Sequence, residues 1–129
     1  MVITEFVDYQ CPFCRAAQSI IDSVMAAQPT EVRLVVHHLP LAGHNFAVQA
    51  AVAAECADRQ GKFSEMHRVL LERQNELKPG VNWNAYAVDS EVSDTTAFLD
   101  CIQLPSDSFP RIAAGLERSS AEFSVESIF

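Results

Sequence analysis

The strongest constraint on the fold lies in the first fourteen residues. Val2, Ile3, Thr4, Phe6 and Val7 form a nearly unbroken β-branched and aromatic run, and Tyr9-Gln10 then lead into Cys11-Pro12-Phe13-Cys14. Such a run is the pattern of a strand covered on both faces, so Val2 to Asp8 is expected to be a central strand. Pro12 sits where a first helical residue would be, since its missing N–H costs nothing there, and Ala17, Ile20, Ile21, Val24 and Met25 recur at helical spacing as far as Gln28. Pro29 is expected to end this helix, and Val32 to His37 reads as a second strand. The strand, helix, strand order makes the two strands parallel, the core of an α/β fold.

From Phe46 onward the pattern is helical. Val48, Ala51, Val52 and Cys56 mark a helix from Phe46 to Arg59 that Gly61 ends, and Phe63, Met66, Val69 and Leu70 mark another from Lys62 to Asn75. Asn82 can cap a short helix through Val88, Asp94 can cap Thr95 to Ile102, and Ser108 with Pro110 can start a last helix to about Glu122. Phe123 to Phe129 alternates weakly and reads as a frayed tail or a stub of strand. Strands then make up only about a tenth of the chain against roughly 20 to 25% in soluble domains, so either the tail adds strand or part of the sheet is expected to be missing from this chain.

The 129 residues, 49% hydrophobic and 20% charged, suit one globular domain and exclude a disordered chain. The longest apolar stretch, Ala50 to Ala54, is far below the roughly 18 residues of a membrane span. Seventeen acidic against nine basic residues give a net charge of −8 with no basic run, which argues against nucleic acid or anionic membrane as partner.

Cysteine usage leaves the compartment open. Cys11 and Cys14 form a CxxC while Cys56 and Cys101 stand alone, which fits two disulfides in an oxidising compartment or redox or metal chemistry in a cytosol. Met1 runs straight into the first strand without a basic head or cleavage site, as a chain without its leader or a cytosolic protein both would.

A CxxC that follows a strand and opens a helix places the first sulfur at the positive end of the helix dipole, beside backbone N–H groups that favour a thiolate. Cys11 is therefore the expected nucleophile, meeting dipole and solvent together, and Cys14, one turn in, the resolving thiol. Pro12-Phe13 brings no charge or imidazole between them, which predicts an oxidant of intermediate strength. The competing chemistry is half a zinc site completed by His37-His38, but adjacent strand residues point to opposite faces and rarely reach one metal. Neither a cofactor nor a resident metal is called for.

Glu5 to Cys14, Val35 to Leu41, Ala53 to Ala57, Gln60 to Phe63 and Met66-His67 together resemble the DsbA-like thioredoxin-fold thiol-disulfide oxidoreductases. The resemblance runs from Val2 to about Glu122 and implies a single, partial DsbA-like thioredoxin domain over 1-129, with a helical insertion at about 45-105. Members carry a cis-proline loop, a strand pair and a last helix after the insertion; none of the six prolines here fits that loop, so the hairpin and helix are expected to be missing. The implied activity is disulfide exchange or donation to thiol- or disulfide-containing protein substrates, with a redox partner protein, in the periplasm or another extracytoplasmic space. A non-catalytic thioredoxin-like interaction module is the alternative, with a zinc-binding domain behind it.

The family's matching acid implies that Glu5, buried near the thiols, relays the proton of Cys14, whereas an incomplete sheet would leave Glu5 at an exposed edge. Some relatives carry an additional disulfide in the helical region, which implies a bridge between Cys56 and Cys101; two buried free thiols are the other reading. Asp8 and Tyr9 are expected to shape the turn, His44 to lie in a loop, His67 to be at the surface or half-buried, and Trp83, Phe98 and Phe109 to pack the helical layer. Two strands with open edges further predict a homodimer, by strand pairing or exchange of an element.

Overall fold

The computed structural model describes residues 1–28 and 30–120. Strand β1 (Val2–Val7), helix α1 (Pro12–Ala27) and strand β2 (Arg33–His38) form the expected unit, with the strands parallel and Glu5 opposite Val36 and Val7 opposite His38. Cys11 is the N-cap of α1 and Pro12 its first residue. Five helices follow: α2 (Ala47–Asp58), α3 (Phe63–Glu72), α4 (Trp83–Asp89), α5 (Thr95–Cys101) and α6 (Pro110–Ser120). The Asn82 and Asp94 side chains accept the N–H groups of Ala85 and Ala97, the caps their positions predict. The helix expected through Asn75 ends at Glu72 and tightens into a 3₁₀ turn at Gln74–Glu76.

Helix α2 is the centre of the core. Its alanines are buried on every side, which lets α3, α5 and α6 approach closely, and Gly61 beyond its end takes a φ of +73° that closes the chain back onto Ala57 and Asp58. Tyr86, Phe98, Met66, Leu70 and Ile112 fill the space around it, with Phe109 buried and Trp83 packed at the margin. Cys56 of α2 and Cys101 of α5 are joined by a disulfide, so the free-thiol reading is excluded in this structure.

Helix α6 lies against the end of β2. Gly115 permits that approach, because a Cβ there would run into the carbonyl oxygen of His38. Arg118 donates to the same carbonyl at 3.0 Å and stands over the Phe6 ring.

One expectation is corrected. Among the described residues β1 pairs only with β2, and its burial rises along its length from exposed Val2 and Thr4 to buried Glu5 and Val7. It is covered at the end that feeds the CxxC rather than on both faces throughout, because α1, α3 and the β2 to α2 loop converge there. The calls on Pro29 and on the 123–129 tail lie outside the described residues.

Candidate active site

The Cys11-Pro12-Phe13-Cys14 turn sits where β1 ends and α1 begins. Cys11 N–H donates to the Asp8 carbonyl at 3.0 Å, closing the turn, and the Cys11 carbonyl then accepts the first helical N–H, from Cys14 at 3.1 Å. Both thiols are free. Phe13 is exposed beside them. Cys14 is directed inward, its sulfur 3.9 Å from the Phe6 carbonyl. Burial pushes the Cys14 thiol up to about 12, with the charges of Cys11 and Glu5 acting the same way. A protonated inner thiol is what the sequence reading requires of a resolving cysteine. The expectation that Cys11 meets solvent is corrected: its residue is only 4% exposed, covered like Cys14.

The turn is held from outside by side chains, of which Gln10 and Gln74 carried no expectation from the sequence. Asp8 accepts from Gln10 N–H at 2.8 Å with one oxygen and from Leu41 N–H at 2.7 Å with the other, which also lies 2.8 Å from His44 Nδ1. Gln10 accepts from Phe46 N–H at 2.7 Å and donates to the Leu77 carbonyl at 3.3 Å. Gln74 donates to the Cys11 carbonyl at 2.8 Å. Two loops and the 3₁₀ turn therefore converge on one tetrapeptide. His44 lies in a loop, as expected, and Asp8 shapes the turn.

Behind the thiols lies a buried polar cluster. Glu5 is buried, so the exposed-edge alternative is corrected: His67 of α3 stands against its carboxyl. Neither Glu5 oxygen accepts a hydrogen bond among the described residues, while His67 Nε2 stands 3.5 Å from Oε2. His67 is itself only 4% exposed, against the surface or half-buried placement expected of it. Its Nδ1 is 2.7 Å from the Tyr9 hydroxyl, its Nε2 is 3.1 Å from Gln18 Oε1, and Phe63 stacks on the ring. The missed signal was helical: Phe63, His67 and Leu70 share one face of α3 at spacings of four and three. Burial keeps the Tyr9 phenol protonated far above its ordinary range, with the charges of Glu5, Glu55 and Cys14 adding to it.

A second pair separates the adjacent histidines. His38 Nε2 lies 2.9 Å from Glu55, whereas His37 stacks against Phe6 at the other face. Burial would raise the Glu55 carboxyl, but hydrogen bonds from His38 and Arg111 outweigh it and hold the group below its ordinary range. The two rings thus diverge, and among the described residues no group of three or more His, Cys, Asp or Glu side chains is arranged to hold a metal ion.

Comparison with known proteins agrees with this architecture. The chain is 42% identical over 80 residues to Na(+)/H(+) antiporter NhaA 3 of Salinispora tropica, covering 61% of this chain and 12% of that protein. Na(+)/H(+) antiporter NhaA 1 of Salinispora arenicola is 41% identical over 80 residues, at 61% and 12% coverage, and NhaA 1 of Mycolicibacterium vanbaalenii 40% over 79 residues, at 60% and 13%. The chain thus spans about an eighth of the length of these relatives. Among its own described residues no helix is long and apolar enough to cross a membrane. The thioredoxin family model matches residues 1–127, and with a parallel strand, dithiol turn, helix, strand core in place, the chain belongs to the thioredoxin family.

Proposed function

We propose that the chain is a DsbA-like thiol-disulfide oxidoreductase that exchanges or donates a disulfide to protein substrates through Cys11 and Cys14. The observation that carries this reading is the asymmetry of the dithiol: Cys11 caps the start of α1, and Cys14 lies one turn inside with its proton held to about 12. In the oxidised form a substrate thiolate attacks Cys11 Sγ, the Cys11–Cys14 bond breaks, and Cys14 leaves as a thiolate that takes up a proton. A second substrate thiolate then attacks the substrate sulfur of the mixed disulfide, forming the substrate disulfide and releasing Cys11 as a thiolate. Glu5 is the acid that serves Cys14, giving it a proton when it leaves and taking one when it attacks.

Site of action follows from the second cysteine pair. A disulfide between α2 and α5 persists in an oxidising compartment, which supports a periplasmic or otherwise extracytoplasmic location. Relatives named as antiporters carry a similar stretch, so we further propose that in those longer chains it forms a redox domain beside the transport machinery.

Refolding of a scrambled disulfide protein tests the reading. The chain should restore native pairing in a glutathione buffer, and Cys11→Ser should abolish this, while Cys14→Ser should trap a mixed disulfide on Cys11. A wild-type chain that forms a mixed disulfide with small thiols but never acts on protein would instead support an interaction module.

A further inference from the structure

The contacts around His67 fix a proton on its Nε2. Gln18 Nε2 donates to Asp22 Oδ1 at 2.8 Å, and a carboxylate accepts only, so the Gln18 amide oxygen is the end turned toward His67. His67 must then carry its proton on Nε2. The Tyr9 hydroxyl, which keeps its own proton, lies 2.7 Å from the remaining nitrogen, Nδ1, and anchors that side of the ring. His67 thus presents its Nε2–H to a pair of acceptors, Gln18 Oε1 at 3.1 Å and Glu5 Oε2 at 3.5 Å. Phe63, stacked with 20° between the planes, holds the ring in that orientation.

Glu5 needs such a donor at one moment only. A buried carboxylate without a hydrogen bond is costly, and a donor to its charged form stabilises that form. We propose that His67 is a positioning residue for the dithiol, its Nε2–H supplying the hydrogen bond that stabilises the Glu5 carboxylate as the base for Cys14. When Cys14 resolves a mixed disulfide, its S–H bond breaks and the proton passes to a Glu5 oxygen. The new thiolate attacks Cys11 Sγ, the bond from Cys11 to the bound thiol breaks, and the expelled thiolate takes a proton from solvent. His67 keeps its proton throughout. The groups that face this event are Cys11 at the start of α1, Cys14 of α1, Tyr9 of the turn and His67 of α3, with Glu55 of α2 and Arg111 of α6 acting on Tyr9, and with Asp22 and Arg68 paired beyond Gln18.

This inference rests on the disulfide-exchange reading for its kinetic part, so two measurements are paired. The first follows the side-chain carboxyl of Glu5 by carbon NMR across pH in the reduced protein, and needs no turnover. The second mixes the reduced protein with oxidised glutathione, quenches with acid, and reads by mass spectrometry how fast Cys14 clears the mixed disulfide at each pH. In His67→Met, Glu5 should titrate about one pH unit higher, and the acid limb of the resolution rate should move with it, a loss of about tenfold at a fixed pH on that limb. His67→Gln, whose amide places an N–H near the position of Nε2, should return both toward wild type. Gln18→Ala removes the competing acceptor and should move both the other way, to lower pH, which keeps the test available if His67→Met fails to fold. In a Glu5→Gln background the His67 substitutions should change the resolution rate no further. An unmoved Glu5 titration in both His67→Met and Gln18→Ala overturns the inference, as does a resolution effect of equal size on Glu5→Gln. A shifted titration in a protein whose Cys14 never resolves glutathione would uphold the His67 contact and overturn the exchange reading instead.

Discussion

Gln74 reaches from the turn after α3 to the Cys11 carbonyl, donating its amide N–H at 2.8 Å across 63 residues of sequence. The helical region is thereby tied to the first residue of the dithiol turn, at a carbonyl that also accepts the opening N–H groups of α1. A side chain that adds a third donor to that oxygen helps fix the angle at which Cys11 enters the helix.

Gln74→Ala should therefore lower stability by about 1 kcal/mol, the net worth of one half-buried hydrogen bond. Gln74→Glu should cost more, about 2 kcal/mol, because a carboxylate placed against a carbonyl repels it and has no proton to give. Urea unfolding of the three proteins checks the pair. If the two variants lose the same amount, the amide nitrogen is not the atom in contact.

Cys14 links stability to pH with a definite sign. Its thiol is held up to about 12 in the fold, whereas an unfolded cysteine titrates near about 8.5. Between those values the folded state binds the extra proton, so the stabilisation is fully present below about pH 8.5 and is lost as pH rises toward 12. The reduced protein should lose up to about 1.4 kcal/mol per pH unit more steeply than Cys14→Ala across that window. Parallel slopes from urea midpoints at pH 8, 9 and 10 would show, within the roughly unit steps sampled, that burial does not hold the Cys14 proton.

The Cys56–Cys101 bridge closes a span of 45 residues between two core helices. Chain-entropy arguments assign about 4 kcal/mol to a loop of that length, acting mainly on the unfolded chain. Replacing both cysteines with alanine should cost roughly 3 to 4 kcal/mol and leave the Cys11 and Cys14 chemistry in place. With Cys11 and Cys14 replaced by serine in both proteins, a reductant should reproduce the loss where the bridge is present and add nothing where it is absent. Thermal and urea unfolding with and without reductant measure both, and a double variant as stable as the wild type would remove the bridge from the energetics.

The fold was legible in the sequence wherever its causes are local. Val2 to Val7, Pro12 at the helix start, and the Asn82 and Asp94 caps are each specified by neighbours within a few positions, and they stand within one or two residues of expectation. The placement of the dithiol was legible for the same reason, since Cys11 and Cys14 stand where a strand ends and a helix begins. What escaped depends on residues far apart in sequence. His67 is buried because α3 is laid over Glu5 and Tyr9, 58 or more positions away; the spacing of Phe63, His67 and Leu70 marks one face of α3 but not the residues that face meets. The same holds for Gln10 and Gln74, ordinary polar residues until tertiary packing brings backbone groups to them. The cover on Cys11 is also tertiary, since Cys11 belongs to one buried cluster with residues of the helical region.

Gly115 carries the last prediction. Inside an exposed helix, glycine to alanine stabilises by about 1 kcal/mol, because alanine loses less backbone entropy. Gly115 is buried in α6 at its crossing with β2, where a Cβ would run into the His38 carbonyl oxygen. Backbone cannot rotate aside as a flexible side chain can, so α6 would have to move away from β2, loosening the Arg118 bond to that same carbonyl. The expected outcome of Gly115→Ala is a loss of about 1 to 3 kcal/mol, opposite in sign to the helix propensity. A control at Ala114, exposed on the same helix, should show the ordinary propensity order, with Ala114→Gly destabilising by about 1 kcal/mol. Urea unfolding decides between the two causes: a stabilised Gly115→Ala would mean that α6 does not approach His38 this closely in solution.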